Sequence, residues 1–362
     1  MEKKKILVAM SGGVDSSVAA GLLKEAGYEI AGATIRTWAS NHCSALNTKA
    51  CCGLSGVEDA REVADQIGIP YWVLDFEKEF KERVVDYFAA EYMKGRTPNP
   101  CIACNEHIKF RLFLKRAREL GYEAIATGHY AQVLRDPGTE NFCIREGVDP
   151  GKDQSYVLFP LDREVLSNLY LPVGGFTKEE IRAKARSLGL RVASKPDSQE
   201  ICFIPSHDYG RFLEREYPEK QTGPGVIRTR DGRVLGRHDG YFHYTRGQRR
   251  GLGVAHTERL YVIETIPETN EVIVGTREEI RETVFYVKRV NWFLKPEQTE
   301  NFEAQVKIRS QHEKAPARLS VLEDESVKVV FETPEEAITP GQAAVFYEGP
   351  KVIAGGWIDR VE

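Results

Sequence analysis

Two groups of residues in this 362-residue chain are suited to chemistry. The first is Ser11-Gly12-Gly13-Val14-Asp15-Ser16-Ser17, set between the apolar run Ile6 to Met10 and the helically spaced Val18, Ala19, Leu22, Leu23 and Ala26. Two glycines let the backbone turn tightly and present N–H groups. Ser16 and Ser17 add hydroxyl donors, and the helix N-terminus adds positive potential. A pyrophosphate fits such a cradle. No GxxxxGKS or GxxxxGKT string occurs, so the loop is not of the Walker type. A capped glycine turn is the plain alternative. Asp15 reads equally as a helix N-cap or as a carboxylate that helps hold Mg2+ beside phosphates.

The second group is the cysteines, seven in number at 43, 51, 52, 101, 104, 143 and 202. An odd count on a chain without a secretion signal argues against a disulfide framework and for metal or redox chemistry in a clustered subset. Thr97-Pro98-Asn99-Pro100-Cys101-Ile102-Ala103-Cys104-Asn105 reads as a proline-stiffened loop that points two thiols at one centre. A closed zinc site needs a second ligand pair, and the adjacent Cys51-Cys52 lacks that spacing. Cys202 closes a polar run from Lys195. Ile201-Cys202-Phe203-Ile204 is either a core strand or a loop that exposes a thiol on its way into that strand.

These residues need elements to position them. Over the first 200 residues strand-like and helix-like runs alternate. Ser55 and Glu58 read as a capping box, Tyr71–Leu74 as a strand, and Phe110–Leu120 as a helix. Ala124–Ala126 reads as a strand running into Thr127-Gly128-His129, and Thr177 with Glu180 as another cap. Such alternation predicts a parallel sheet covered on both faces, with ligands beyond the carboxyl ends of its strands. After about residue 205 the helical pattern stops. From about 278 period-two runs, Ala304–Arg309 and Val327–Phe331, predict a small β-barrel or sandwich. The expected domains are 1–205, 206–277 and 278–362.

A net charge of −4 argues against bulk coating of nucleic acid, though not against a local basic stripe. His238, His243, Arg246, Arg249, Arg250, His256 and Arg259, interleaved with Tyr241, Phe242 and Tyr244, supply cations for phosphates and aromatics for bases. No apolar run reaches the roughly 20 residues of a membrane span, and the N-terminus lacks a signal-peptide core. A cytoplasmic, membrane-independent location is expected.

SGGVDSS resembles the signature of the ATP pyrophosphatases, the PP-loop superfamily, which adenylate a substrate and release pyrophosphate. Several further strings resemble one family within it, the MnmA family of bacterial tRNA-specific 2-thiouridylases. They are TPNPCIACN, DSQEICFI, Gly128-His129-Tyr130, Lys152-Asp153-Gln154-Ser155-Tyr156, Thr245 to Gly253, and Pro340-Gly341-Gln342. The resemblance implies a PP-loop domain with a Rossmann-like parallel sheet, a small mostly β central domain and a C-terminal β-barrel. It implies ATP-dependent 2-thiolation of the wobble uridine in the tRNA anticodon loop, with sulfur from a relay carrier or a cysteine desulfurase. It assigns ATP to Ala9, Met10, Ser11, Gly12, Gly13, Val14, Asp15, Ser16, Ile35 and Gly128. The target base falls to Asn99, Pro100 and Cys101, and tRNA contacts to His129, Lys152, Asp153, Gln154, Arg309, Ser310 and Gln342. Cys104 matches the nucleophile and Cys202 the persulfide carrier, with a disulfide between them as a redox form. The chain departs from the family where Cys101 stands in place of an aspartate. Cys101, Cys104 and Cys202 are therefore also candidates to hold a 4Fe–4S cluster. A PP-loop synthetase for a small substrate and a noncatalytic metal- or RNA-binding protein are the competing readings.

Overall fold

The computed structural model describes residues 4–37, 54–136, 141–196, 201–204, 208–220 and 222–362. Cys43, Cys51, Cys52 and the run 197–200 before Cys202 lie outside them. The chain divides into two compact units. One comprises Met1–Val85, Cys101–His207 and Pro350–Ile353; the other comprises Asp86–Pro100, Asp208–Gly349 and Ala354–Glu362. The central stretch 208–277 and the C-terminal stretch apart from Pro350–Ile353 fall within the second unit.

In the first unit the strands are β1 (Ile6–Ala9), β2 (Ile30–Arg36), β3 (Tyr71–Asp75), β4 (Ala124–Ala126), β5 (Ala131–Arg135), β6 (Phe142–Glu146) and β7 (Leu169–Tyr170). Five of them form a sheet in the order β3-β2-β1-β4-β7, parallel at every pairing. This is the expected α/β layer. Ile6, Val8, Ala124 and Ala126 are buried on the sheet, and Val18, Ala19 and Leu23 of helix α1 (Val14–Glu25) join the same core with Val63 and Ala64 of helix α2 (Leu54–Ile67). Helix α2 begins at Leu54, so Ser55 lies inside it and is not its cap. The Thr177–Glu180 capping box is present at the head of the helix Lys178–Ser187. β5 and β6 form a hairpin, and β6 takes Lys351 and Val352 as an antiparallel edge partner.

The second unit holds β8 (Gly225–Thr229), β9 (Val234–His238), β10 (Tyr261–Ile266) and β11 (Glu271–Gly275), a sheet in the order β10-β11-β8-β9. A helix, Tyr209–Glu216, precedes it, where the sequence had suggested that helical pattern ends. Asp208 starts this helix by accepting a hydrogen bond from the Arg211 N–H. Strands β12 (Arg281–Trp292), β13 (Phe302–Lys307), β14 (Ala315–Val321), β15 (Val327–Glu336), β16 (Ala343–Glu348) and β17 (Lys351–Val361) run in the order β12-β15-β14-β13-β16-β17, and β12 pairs with β17 to close a six-stranded barrel. Alternating residues such as Phe285, Val287, Leu319, Val329, Phe331 and Phe346 fill it. Among the described residues no helix is long and apolar enough to cross a membrane.

Candidate active site

The glycine loop follows β1, as its sequence required. Gly12 adopts φ +70°, and a Cβ there would stand 2.3 Å from the Gly56 carbonyl oxygen of α2, so only glycine fits. Gly13 is the N-cap of α1 and receives no side-chain cap. Asp15 is therefore within the first turn, and the capping reading does not hold. The hydroxyls expected to face a phosphate are turned inward. Ser16 and Ser17 donate to the Gly13 carbonyl at 3.2 and 2.9 Å, and Ser16 Oγ accepts from the Ser11 N–H at 3.2 Å. They brace the loop and occupy the Ser11 N–H, which leaves the loop's other backbone N–H groups and the α1 N-terminus to face an anion.

Asp15 is held from two sides. The Lys178 ammonium meets its carboxylate oxygens at 2.7 and 2.9 Å, and the Tyr130 hydroxyl donates to Oδ1 at 2.7 Å. Lys178 is the first residue of its helix, where the macrodipole disfavours a cation. A lysine in that place signals a remote anionic partner, and that signal was readable in the sequence. A second lysine, Lys195, donates to the Gly12 carbonyl at 2.9 Å and to Asp59 of α2 at 2.5 Å. Nothing in the local sequence marks it.

Ala9, Ile35 and Gly128 lie at the same carboxyl edge of the sheet, because β1 pairs in parallel with both β2 and β4. Gly128 lies flat against the loop: a Cβ on it would stand 2.6 Å from the Ser16 amide nitrogen. Met10 is buried, tied by its N–H to Ala33. Of the residues expected to meet RNA in this unit, Gln154 clamps Tyr130 through paired bonds of 2.9 and 2.8 Å, and Asp153 accepts from the Gly147 and Ser155 amides. Both thus shape the segment that carries Tyr130 to Asp15. Lys152 is partly exposed. His129 bonds Thr127 through Nδ1 at 2.8 Å. Desolvation, with Lys109 nearby, pushes it down to about 3, so its imidazole is neutral.

The cysteines occupy different settings. The chain from Pro100 is helical, contrary to the loop expected there. Proline suits the first helical position, and Pro100–Cys104 continues into a π-helical stretch, Asn105–Leu112. Cys101 and Cys104 are thus a helical turn apart, the first exposed and the second buried. Ile201–Ile204 is a turn, not a strand, closed by the Ile204 N–H on the Ile201 carbonyl. Phe203 anchors it against Phe80 at 5.7 Å, and Cys202 is exposed. Cys143 is interior on β6, where burial pushes its thiol up. Among the described residues no three His, Cys, Asp or Glu side chains gather as a metal site.

In the second unit Gln342 donates to the Thr97 and Pro98 carbonyls at 3.0 and 3.2 Å, which fixes the approach to Asn99 and Pro100. Arg309 bonds the Glu336 carbonyl, and Ser310 is exposed just past β13. The basic and aromatic cluster divides. Tyr241, Phe242 and His238 are buried, His243 pairs with Glu214, and Arg246 with Glu282. Packing claims Tyr241 and Phe242, two of the aromatics expected to meet bases, and leaves Tyr244 partly exposed. Arg249, Arg250, His256 and Arg259 remain exposed, and all but Arg250 line a concavity of about 360 Å³ with Gly251, Leu252 and Gly253.

Three family models match the chain. A tRNA methyl transferase HUP domain covers residues 4–206, a tRNA methyl transferase PRC-barrel domain 210–276, and an aminomethyltransferase β-barrel domain 282–358. The tRNA-specific 2-thiouridylase MnmA of Geobacter metallireducens is 50% identical over 360 residues, 99% of this chain and 97% of that protein. The protein of the same name from Acetivibrio thermocellus is 46% identical over 359 residues, 99% of this chain and all of its own. Among solved structures, the U34-tRNA thiolase NcsA from Methanococcus maripaludis with its 4Fe–4S cluster overlaps 60% of this chain and 69% of its own, at 19% identity and a TM-score of 0.35. That overlap is too slight to bear on the chemistry. The full-length identity to the two bacterial proteins, with the phosphate loop and cysteines in place, makes this chain a member of the MnmA family of tRNA-specific 2-thiouridylases.

Proposed function

We propose that this chain is a cytoplasmic, ATP-dependent tRNA-uridine 2-sulfurtransferase acting on the wobble uridine of the anticodon loop. The observation that carries the reading is the braced loop at the sheet's carboxyl edge, with Gly128 against it and two lysines beside it, in the same unit as an exposed Cys202. ATP lies along Ala9 to Ser16, its adenine toward Ile35 and Gly128. The C2 oxygen of the uridine attacks the α-phosphorus, and pyrophosphate leaves with the bonding electron pair. A sulfur carrier or cysteine desulfurase loads Cys202 as a persulfide. The Cys104 thiolate then attacks the inner sulfur, a Cys104–Cys202 disulfide forms, and the hydrosulfide released displaces AMP from C2. A thiol reductant reopens the disulfide.

The base enters by leaving its stack, and Asn99, Pro100 and Cys101 receive it. Magnesium neutralises phosphate charge when bound. Asp15 does not fit as its anchor while both carboxylate oxygens face Lys178, so the ion travels with the nucleotide. RNA contacts fall to His129, Lys152, Asp153, Gln154, Arg309, Ser310 and Gln342, and to the exposed Arg249 and Arg250. The decisive experiment is tRNA-dependent release of pyrophosphate and AMP by wild type, Asp15→Ala, and Ser11→Ala with Ser16→Ala. Both variants should stay folded and lose release and thiolation together. Undiminished AMP formation would remove the loop from the reaction.

A further inference from the structure

The glycine loop contains no lysine of its own. Phosphate loops ordinarily pair their backbone donors with a cation, and lysine serves as a compact point charge there. Two lysines reach this loop from elsewhere, and their settings differ. Lys178 is committed to the fold, its side chain 12% exposed and meeting both carboxylate oxygens of Asp15. The Lys195 side chain is 32% exposed and divides itself between the Gly12 carbonyl and the Asp59 carboxylate, which is itself 36% exposed. Phosphate oxygens can replace both of those acceptors, because water takes over an exposed carboxylate at little cost. The backbone of Lys195 is already fixed. Arg182 donates to the Ala193 carbonyl at 2.8 Å and to the Lys195 carbonyl at 3.2 Å. Only a flexible four-carbon stem has to move.

We propose that Lys195 is the phosphate-binding cation of this loop, and that it exchanges Asp59 for the pyrophosphate portion of ATP. Asp59 parks the ammonium at the loop until the nucleotide arrives. As the α–β phosphoanhydride bond breaks, negative charge grows on the departing pyrophosphate. Lys195 stays protonated and offsets that charge without forming or breaking a covalent bond. This assignment rests on the ATP reading above and adds to it a residue 183 positions downstream of the loop.

Full-length wild type, Lys195→Gln, Lys195→Arg and Asp59→Asn are titrated calorimetrically with Mg-ATP and with inorganic pyrophosphate plus magnesium. The KM for ATP is measured in tRNA-dependent pyrophosphate release, and thermal melts confirm that each variant is folded. Loss of one charge-assisted contact is expected to weaken pyrophosphate binding in Lys195→Gln roughly ten- to a hundredfold, with a parallel rise in KM. Lys195→Arg should recover most of both, because the charge is kept. Asp59→Asn, which removes the resting partner, should tighten pyrophosphate binding. Equal pyrophosphate affinity in wild type and Lys195→Gln overturns the assignment, and so does an Asp59→Asn variant that binds no tighter than wild type. Wild type that fails to bind Mg-ATP at all sinks the ATP reading itself, a result distinct from either.

Discussion

Replacing Lys178 by methionine tests the frame on which the loop is built. The substitution keeps the stem of the side chain and removes the ammonium, so Asp15 retains only the Tyr130 hydroxyl. At 2.7 to 2.9 Å and an effective dielectric near 20 the pair attracts by about 6 kcal/mol before desolvation is counted. With side chains 12% and 29% exposed, it lies between exposed pairs, worth up to about 1 kcal/mol, and buried ones, whose breakage costs about 3–5 kcal/mol. A net loss of about 2 kcal/mol is expected, a fall of roughly 4–8 °C in the melting of a unit of this size. The assay is a double-mutant cycle of Lys178→Met, Asp15→Asn and both together, followed by thermal unfolding. The coupling should recover about 1.5 kcal/mol in the double variant. A coupling below about 0.5 kcal/mol would refute the reasoning, because the two residues would then act independently.

Other outcomes follow from the same geometry. Arg249→Ala with Arg250→Ala should lower the slope of log affinity for tRNA against log salt by roughly one to two units, measured by filter binding; an unaltered slope would place these arginines off the RNA path. Cys104→Ser and Cys202→Ser should each abolish thiolation yet keep pyrophosphate release, whereas Cys101→Asp should retain substantial thiolation, assayed by nucleoside mass spectrometry beside iron content. Activity that rises and falls with iron would instead require a cluster. His129 carries a pH signature. Its folded value near 3 lies below its unfolded value near 6.5, so the unfolded chain binds the extra proton, and stability declines as pH falls through 6.5 toward 3. The slope approaches about 1.4 kcal/mol per pH unit, and His129→Asn should flatten it in denaturant titrations.

The glycine loop was legible because its geometry is local: a strand, a left-handed glycine and a helix start lie within ten residues. The cations that serve it were not, because Lys178 and Lys195 come from 163 and 183 positions away. Only the misplaced charge at a helix start hinted at Lys178. The cysteine helix was misread for a related reason. Pro100 stiffens a loop and begins a helix equally well, and only the residues packed beneath it decide. In the basic stretch the residue types were read correctly, but composition cannot tell an arginine that pairs with Glu282 from one that faces water. Burial sorted them, and burial is a long-range property.

The pairing of β6 with Lys351 and Val352 has a consequence for synthesis. Arg145 and Ile144 leave the ribosome some 200 residues before their partners do. At about 5–20 residues per second the sheet edge waits for roughly 10–40 seconds. During that interval the nascent chain carries an uncovered strand, which is an invitation to wrong neighbours. The outer pairing of the β5–β6 hairpin is thus laid down almost last. A transcript cut short near its end would yield a nearly whole protein whose first half is still unfinished.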